Sequence, residues 1–183
     1  MFKPKEAMTV LFFLVILLLF QSDVILPEKT KGDYPDANEV MWKLPRTYML
    51  QSLGNFTNLI CGYQHFYNST KRNKTFRMYD FFLRYKNGHS FHQPYYVKNV
   101  SNYTIYLGTH RKPRLPPTAT REILFSNMKS CMVIKNPNNP KVCNLMVKKT
   151  RFQKPQARCL RKFKKHCKGP VFNYTIDNCP YLK

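Results

Sequence analysis

Residues 158–167, "RCLRKFKKHC", hold two cysteines, one histidine and five basic side chains, which are the residue types of a metal site, a nucleic-acid-binding helix or a disulfide-stapled domain. A structural zinc ion needs four ligands at recognisable short spacings. The chain contains no Cys-x-x-Cys pair, and no known nucleic-acid-binding motif appears in it. We therefore predict no metal, no other cofactor and no nucleic-acid partner, and we favour the disulfide interpretation.

The flanking residues predict a single amphipathic helix at about 156–167. Pro155 suits a first helical turn, and the Gly-Pro pair at 169–170 is a stop signal. Cys159, an intervening phenylalanine and Cys167 recur at i, i+4 and i+8, so they share one helical face, and basic residues cover much of the rest. The two cysteines lie about 12 Å apart at 1.5 Å per residue, too far to bond each other. Each must reach a different strand.

The N-terminus has the pattern of a secretory signal. Basic residues precede an apolar run from Val10 to Phe20, which as a helix would rise only about 17 Å, too little for a hydrocarbon core of about 30 Å. Ser22 suits the last position before cleavage, so residues 1–22 are predicted to be a signal peptide, with an uncleaved anchor as the alternative because Phe20 is bulky. All six cysteines lie beyond this run, and their even number suits an oxidising compartment.

N-glycosylation sequons also indicate secretion. The chain has six, which is more than chance readily gives in a chain of this size. They lie at Asn55, Asn68, Asn73, Asn99, Asn102 and Asn173. We predict a secreted, extracellular glycoprotein that has no membrane contact after signal removal and is a monomer.

Basic residues dominate the formal charge of +22. Between Glu122 and Asp177 the chain has thirteen Lys and Arg and no acidic residue. Such a field attracts anions, among which a secreted protein meets sulfated glycans and lipids more readily than DNA. The alternative is a solvated basic surface that only aids solubility.

Short β-forming segments fill the middle of the chain and predict a mainly β, antiparallel sandwich or barrel. Turn signals at 86–89, 111–118 and 136–140 separate several of them. Residues 23–53 precede these segments. Pro and Gly interrupt this stretch, so we predict an ordered lead-in there, not a strand. We divide the chain into a lead-in at 23–41 and a barrel domain at 42–183. The seven segments are "NLICGYQHFY", "TFRMYDFFLRY", "SFHQPYYV", "NYTIYLG", "REILFSN", "CMVIKN" and "KVCNLMVKK".

The chain resembles the tick salivary lipocalins of the histamine-binding protein family over about residues 42–179. The resemblance lies in the order of strands, a disulfide-bonded helix and then "VFNYTIDNC". The Trp-Lys of "MWKL" is similar to the family's opening motif, and "REILFSN" resembles its "ILYSD"-type strand. The amine binders of that family carry Cys-Asp-aliphatic, later Glu-Leu-Trp or Glu-Leu-Tyr, and then Cys. Here "CMV", ten residues, "NLM", twelve residues and Cys159 keep the spacing. The acids and the aromatic residue are replaced by Met132, Asn144 and Met146.

The resemblance implies an eight-stranded antiparallel lipocalin barrel with one C-terminal helix packed outside. Sequence alone leaves fifteen pairings of six cysteines. The family's pairing, carried onto matching positions, is Cys61–Cys179, Cys131–Cys159 and Cys143–Cys167.

These pairs orient the strands, because cysteines bonded to an outer helix must face outward. Strand alternation then turns the residues between them toward the interior. A glycan on Asn102 must also lie outside the barrel. Alternation along the next strand then predicts that Tyr103, Ile105 and Leu107 face inward. Asp80 lies on a strand of which either face could be the inner one. The predicted ligand contacts are Met132, Ile134, Asn144, Met146, Tyr103, Ile105, Leu107 and Asp80.

Three classes of function can be compared with the sequence. The first is a carrier that sequesters a small host mediator in its barrel, suppressing inflammatory or haemostatic defence: the family implies a biogenic amine such as histamine, whereas the lost acids favour an eicosanoid or fatty acid. The second is an inhibitor that binds a host protein or heparin-like glycan through the basic helix. The third, an enzyme, is not predicted, because no catalytic constellation is visible.

Overall fold

The computed structural model describes residues 30–176 and Cys179. The predicted signal peptide at 1–22 and the first residues of the predicted lead-in lie outside this part of the chain. No helix among the described residues is long and apolar enough to span a membrane.

The described residues form nine strands and two α-helices. The helices are α1 (Ala37–Lys43) and α2 (Ala157–His166), and a 3-10 turn covers Lys149–Arg151. The strands are β1 (Arg46–Ser52), β2 (Leu59–Lys71), β3 (Lys74–Tyr85), β4 (Ser90–Ser101), β5 (Thr104–Gly108), β6 (Ala119–Ser126), β7 (Cys131–Asn136), β8 (Asn139–Val147) and β9 (Phe172–Asn173).

Strands β1 to β8 form a closed antiparallel barrel. Each of β2 to β8 pairs with its neighbour in the chain, β8 pairs with β1, and β1 pairs with β2 to complete the ring. The short β9 adds to β1. Closure leaves no free edge along the eight main strands. The predicted eight-stranded barrel with one C-terminal helix outside is confirmed, and β9 is an additional strand.

Two hydrophobic clusters lie on opposite faces of this sheet. Strands from all around a closed barrel can share a cluster only in its interior, so the first cluster fills the barrel. It includes Met49, Phe66, Tyr79, Leu83, Ile105, Leu107, Ile123, Met132, Ile134 and Met146. The second lies between the outer face and α2, and it includes Cys131, Val133, Cys143, Leu145, Val147, Cys159, Phe163 and Cys167.

Disulfide bonds tie α2 to two strands. They join Cys131 of β7 to Cys159 and Cys143 of β8 to Cys167, and a third joins Cys61 of β2 to Cys179. These are the three pairs that the resemblance implied. The helix begins at Ala157, two residues after Pro155, because the Gln156 carbonyl accepts its first hydrogen bonds.

The prediction that residues 23–53 contain no strand is wrong, and the same stretch also contains a helix. Asp36 caps α1 by accepting a hydrogen bond from the Asn38 backbone N–H at 2.9 Å. One face of α1 joins the interior cluster, so this helix closes one end of the barrel. Pro45 then separates α1 from β1. The predicted start of the barrel domain at Trp42 therefore falls within α1.

Candidate functional site

A cavity of about 320 Å³ occupies the end of the barrel opposite α1. Strands β1 and β5 end there and β6 begins there, so the helix-free end is the mouth of the barrel. Aromatic and aliphatic side chains dominate the wall, with one cation and two amides among them. The lining residues are Phe56, Phe81, Leu83, Tyr85, Phe91, Gln93, Tyr95, Arg121, Asn136 and Val142.

Arg121 is the cation of this cavity. It is the cross-strand partner of Ile105, which lies in the interior cluster, and cross-strand partners share a face of the sheet. The guanidinium donates to the Thr120 backbone carbonyl at 2.8 Å. Most of its donor capacity is left for other groups, since a guanidinium carries five N–H donors. The sequence alone does not single out Arg121, because without the register with β5 its neighbour Glu122 could equally face inward.

Beneath Arg121 a short polar chain crosses the interior. The Tyr79 hydroxyl donates to Gln64 Oε1 at 3.2 Å, and Gln64 Nε2 lies 3.0 Å from the sulfur of Met132. Burial raises the pKa of Tyr79, and the Arg121 guanidinium beside it opposes that rise. Tyr79 is therefore a neutral hydroxyl at physiological pH, and it adds no negative charge to the interior.

Most of the predicted ligand contacts do lie in the interior. Met132, Ile134, Met146, Ile105 and Leu107 all belong to the interior cluster. The alternation fixed by the outward cysteines accounts for the first three. These five pack in the interior cluster and do not line the mouth cavity, and their role as ligand contacts remains a prediction.

Asn144 also faces inward, near the mouth. It is the cross-strand partner of Ile134 and Ser52, and its Oδ1 accepts a hydrogen bond from the Ser52 hydroxyl at 2.6 Å. This partner explains why an amide is tolerated in an apolar interior.

Tyr103 does not join this set, so its predicted inward orientation is wrong. It lies in the turn between β4 and β5, and its ring stands 5.0 Å from that of Tyr34, which in turn contacts His166 of α2. The backbone of Asn102 has a φ of 51°, and this left-handed residue interrupts the alternation before Thr104.

Asp80 faces outward, which corrects its assignment to the interior. Tyr79 and Leu83 of the same strand lie in the interior cluster, so the intervening Asp80 is on the other face. Its Oδ2 lies 3.2 Å from the Tyr67 hydroxyl, which donates to it, and 3.1 Å from His92 Nε2. Burial, followed by the charge of Asp80, raises the pKa of Tyr67 to about 12.

No acidic side chain among the described residues faces the barrel interior. Asp36 caps α1, and Glu39 pairs with Lys43 on the exposed side of that helix. Glu122 is the cross-strand partner of Thr104 and Lys135, on the face opposite Arg121. Asp33 and Asp80 bind groups on the outside. The interior thus carries a positive charge that no carboxylate of the described chain neutralises.

Asp33 lies on the outer face of the barrel, where basic side chains of α2 surround its carboxylate. It forms a β-bridge with Phe125, and its carboxylate accepts from Lys162 Nζ at 2.8 Å and lies 3.1 Å from His166 Nε2. Only 2% of the Asp33 side chain is exposed. This ion pair fastens the segment before α1 to α2. Four of the six Lys and Arg at 158–168 are nevertheless exposed: Arg161, Lys164, Lys165, which lies 3.5 Å from Asp33, and Lys168 just after the helix.

All six sequon asparagines are also exposed, as a glycan would require. In residues 30–176 and Cys179, no group of three or more His, Cys, Asp or Glu side chains is placed to hold a metal ion.

Comparison with known proteins decides the family. Residues 27–179 match the family described as "Tick histamine binding protein". The chain belongs to this family. The solved structures similar to this family member include AM182 in complex with serotonin, with 18% identity and a TM-score of 0.53 over 80% of this chain and 95% of that one. Japanin from Rhipicephalus appendiculatus, bound to cholesterol, has 14% identity and a TM-score of 0.50 over 73% of this chain and 93% of that one. At these identities the likeness shows the fold alone, and no curated protein matches the chain in sequence.

By the motif resemblance, Met132 and Asn144 stand where the amine binders carry Asp and Glu. Both side chains face the interior in this chain. The replacement therefore concerns the buried interior of the barrel, although neither residue is among those that line the mouth cavity.

Proposed function

We propose that the protein is a secreted, non-enzymatic carrier that sequesters a small anionic lipid mediator of the host, such as an eicosanoid or fatty acid, and so suppresses inflammatory or haemostatic defence. One observation carries the proposal: Arg121 lies in a largely apolar cavity that no described acid shares. A carboxylate there would form charge-assisted hydrogen bonds with the guanidinium, and an acyl chain would pack against the aromatic wall.

The same observation argues against an amine. An ammonium buried without a counter-ion costs several kcal/mol, and Arg121 adds repulsion. AM182 is seen with serotonin and Japanin with cholesterol, so the fold accepts ligands of different charge. A volume of about 320 Å³ suits one small ligand.

Calorimetry on the secreted protein tests this function, after native mass spectrometry has identified any ligand that co-purifies. An eicosanoid acid should bind, and Arg121→Met should weaken it about 10-fold to 100-fold, because a hydrogen bond to a charged group contributes ~1.5–3 kcal/mol. Arg84→Met is the matched control, since Arg84 lies on β3 next to the interior residue Leu83 and therefore faces outward. Equal affinities of the two variants, or tight histamine binding by the unmodified protein, would refute the proposal.

A second candidate function rests on α2. Arg161, Lys164, Lys165 and Lys168 are exposed and close together on one short segment, which would suit a sulfated glycan or an acidic host protein. Heparin retention that falls steeply with salt, and that is lost when these four residues are replaced by glutamine, would support it. Retention that is unchanged by the replacement would exclude the helix.

A further inference from the structure

A second cavity, a groove of about 430 Å³, lies at the α1 end of the barrel between α1 and the β2–β3 hairpin. Trp42, the one tryptophan of the chain, lines this groove, and 82% of its surface is exposed. Met41, Pro45, Phe66, Met78 and Val97 contribute apolar surface beside it. A large exposed aromatic side chain on an apolar groove indicates that something covers it in the mature protein.

Polar groups in the same groove indicate the chemistry of that cover. Asn38 and Trp42 are four residues apart on α1, so they lie on one side of the helix. Arg77 Nη1 donates to Asn38 Oδ1 at 2.6 Å, which links β3 to α1 across the groove. Amide and guanidinium groups beside an indole ring match a ligand that has hydroxyls, an acetamide and a C–H-rich face. N-acetylglucosamine has all three.

The attachment point for such a sugar is already in the groove. Asn68 is exposed, lines the groove and is the cross-strand partner of Arg77. It begins the sequon Asn-Ser-Thr. A sugar joined to Asn68 would meet Trp42 intramolecularly, so even a weak contact would be populated because the effective concentration is high.

We propose that an N-linked glycan on Asn68 folds back into this groove and that its first N-acetylglucosamine packs on the indole of Trp42. The glycan then acts as part of the structure, covering apolar surface that residues 30–176 leave exposed. Asn73, at the tip of the same hairpin, carries a sequon but does not line the groove. This proposal is independent of the ligand in the barrel, because the groove and the mouth lie at opposite ends.

Two threonines provide a matched pair of variants. Thr70 and Thr75 are cross-strand partners whose hydroxyls are 3.2 Å apart and hydrogen-bonded to each other. Thr70→Ala and Thr75→Ala therefore remove the same hydrogen bond from the hairpin. Only the first destroys the Asn68 sequon, whereas the second destroys that of Asn73. Thr70→Ser keeps the Asn68 sequon and serves as the rescue.

The measurement is acrylamide quenching and the emission maximum of Trp42 in full-length protein secreted from glycosylating cells, with site occupancy determined by peptide mass spectrometry. We expect Trp42 to be protected in the unmodified protein, in Thr75→Ala and in Thr70→Ser. In Thr70→Ala we expect a red-shifted emission and a loss of that protection. Trimming with an endoglycosidase that leaves one N-acetylglucosamine should preserve the protection, and complete removal of the glycan should abolish it.

Three results would overturn the proposal: an unoccupied Asn68, quenching that is equal in Thr70→Ala and Thr75→Ala, or protection that survives deglycosylation. Protection that survives and increases with protein concentration would assign the groove to a second copy of the chain instead.

Discussion

Asp33 on the outside of the barrel and Arg121 on the inside are charged groups with opposite surroundings. The carboxylate of Asp33 is almost fully buried, and the ammonium of Lys162 and the imidazole of His166 contact it directly. The guanidinium of Arg121 meets a backbone carbonyl and a neutral tyrosine, and it opens on a cavity. The first charge is neutralised by its own chain, and the second is available to a ligand.

The comparison separates structural charge from functional charge. A buried ion that its own chain compensates holds two elements together, and removing one partner leaves an unpaired charge. A cation in a cavity without a carboxylate selects ligands by sign. The basic composition of this chain, with thirty-one Lys and Arg, gives no hint of that distinction. Among the Lys and Arg that the structure describes, only Arg121 lines the mouth cavity.

Replacing Asp33 should have the largest effect on stability. Asp33→Asn leaves Lys162, whose side chain is 12% exposed, without its carboxylate. We expect the free energy of unfolding to fall by about 3 kcal/mol, near the lower limit for breaking a buried ion pair. Urea denaturation with the disulfides intact measures the change. Asp36→Asn is the control, since asparagine also caps helices, and it should cost little. A loss for Asp33→Asn as small as that of the control would mean that the ion pair does not stabilise the fold.

Restoring the family's acids should reverse the ligand preference. Met132 and Asn144 lie diagonally on neighbouring strands, about 7–8 Å apart by sheet geometry, and both face inward. The unmodified protein should bind histamine with a dissociation constant above ~10 µM. The double variant Met132→Asp with Asn144→Glu should bind histamine about 100-fold to 10,000-fold more tightly, since each charge-assisted hydrogen bond contributes ~1.5–3 kcal/mol. Its affinity for an anionic lipid should fall.

Asp80→Asn is the control for that experiment. Because Asp80 lies on the outer face beside His92 and Tyr67, its neutralisation should leave both affinities unchanged. Calorimetry of all three proteins decides. A nanomolar histamine affinity of the unmodified protein would show that an acid not yet placed serves the amine, and loss of that affinity in Asp80→Asn would identify the acid as Asp80.

Disulfides made part of the interior predictable. Once Cys131 and Cys143 are assigned to an outer helix, the period of two along a strand determines where Met132, Ile134 and Met146 point. The inner face of a strand can be assigned in this way only when the strand contains a residue that must face outward, such as a cysteine bonded to the outer helix. The strands that carry Asp80 and Arg121 have no such marker in the described chain, and their faces depend on register with a neighbour.

Local backbone geometry explains the remaining differences. The glycan expected on Asn102 phased Ile105 and Leu107 correctly, but a left-handed Asn102 removed Tyr103 from the same alternation. The helix α1 was not predicted because Pro and Gly occur in the sequence before Pro45. Its seven residues also include too few apolar positions to show a clear helical period. Its closure of the barrel depends on tertiary packing against the interior cluster.

His65 should give the smallest effect, seen in the pH dependence of stability. It lies on the outer face opposite Asp80, and its ring stacks on Tyr67 at 4.8 Å. Burial, and then the charge of Arg46, lowers the pKa of His65 below its usual value near 6.5, while Asp80 opposes the change.

The folded state therefore binds fewer protons than the unfolded state just below that value, so the stability contributed by His65 is complete above about pH 6.5 and decreases as the pH falls. His65→Gln should flatten the decline in unfolding free energy between about pH 7.5 and about pH 5.5, and the exposed His110→Gln should not. Urea midpoints measured across this range test the difference. Parallel curves for the unmodified protein and His65→Gln would mean that protonation of His65 is equally favourable in the folded and the unfolded chain, so that burial beside Tyr67 and Arg46 does not disfavour its charged form.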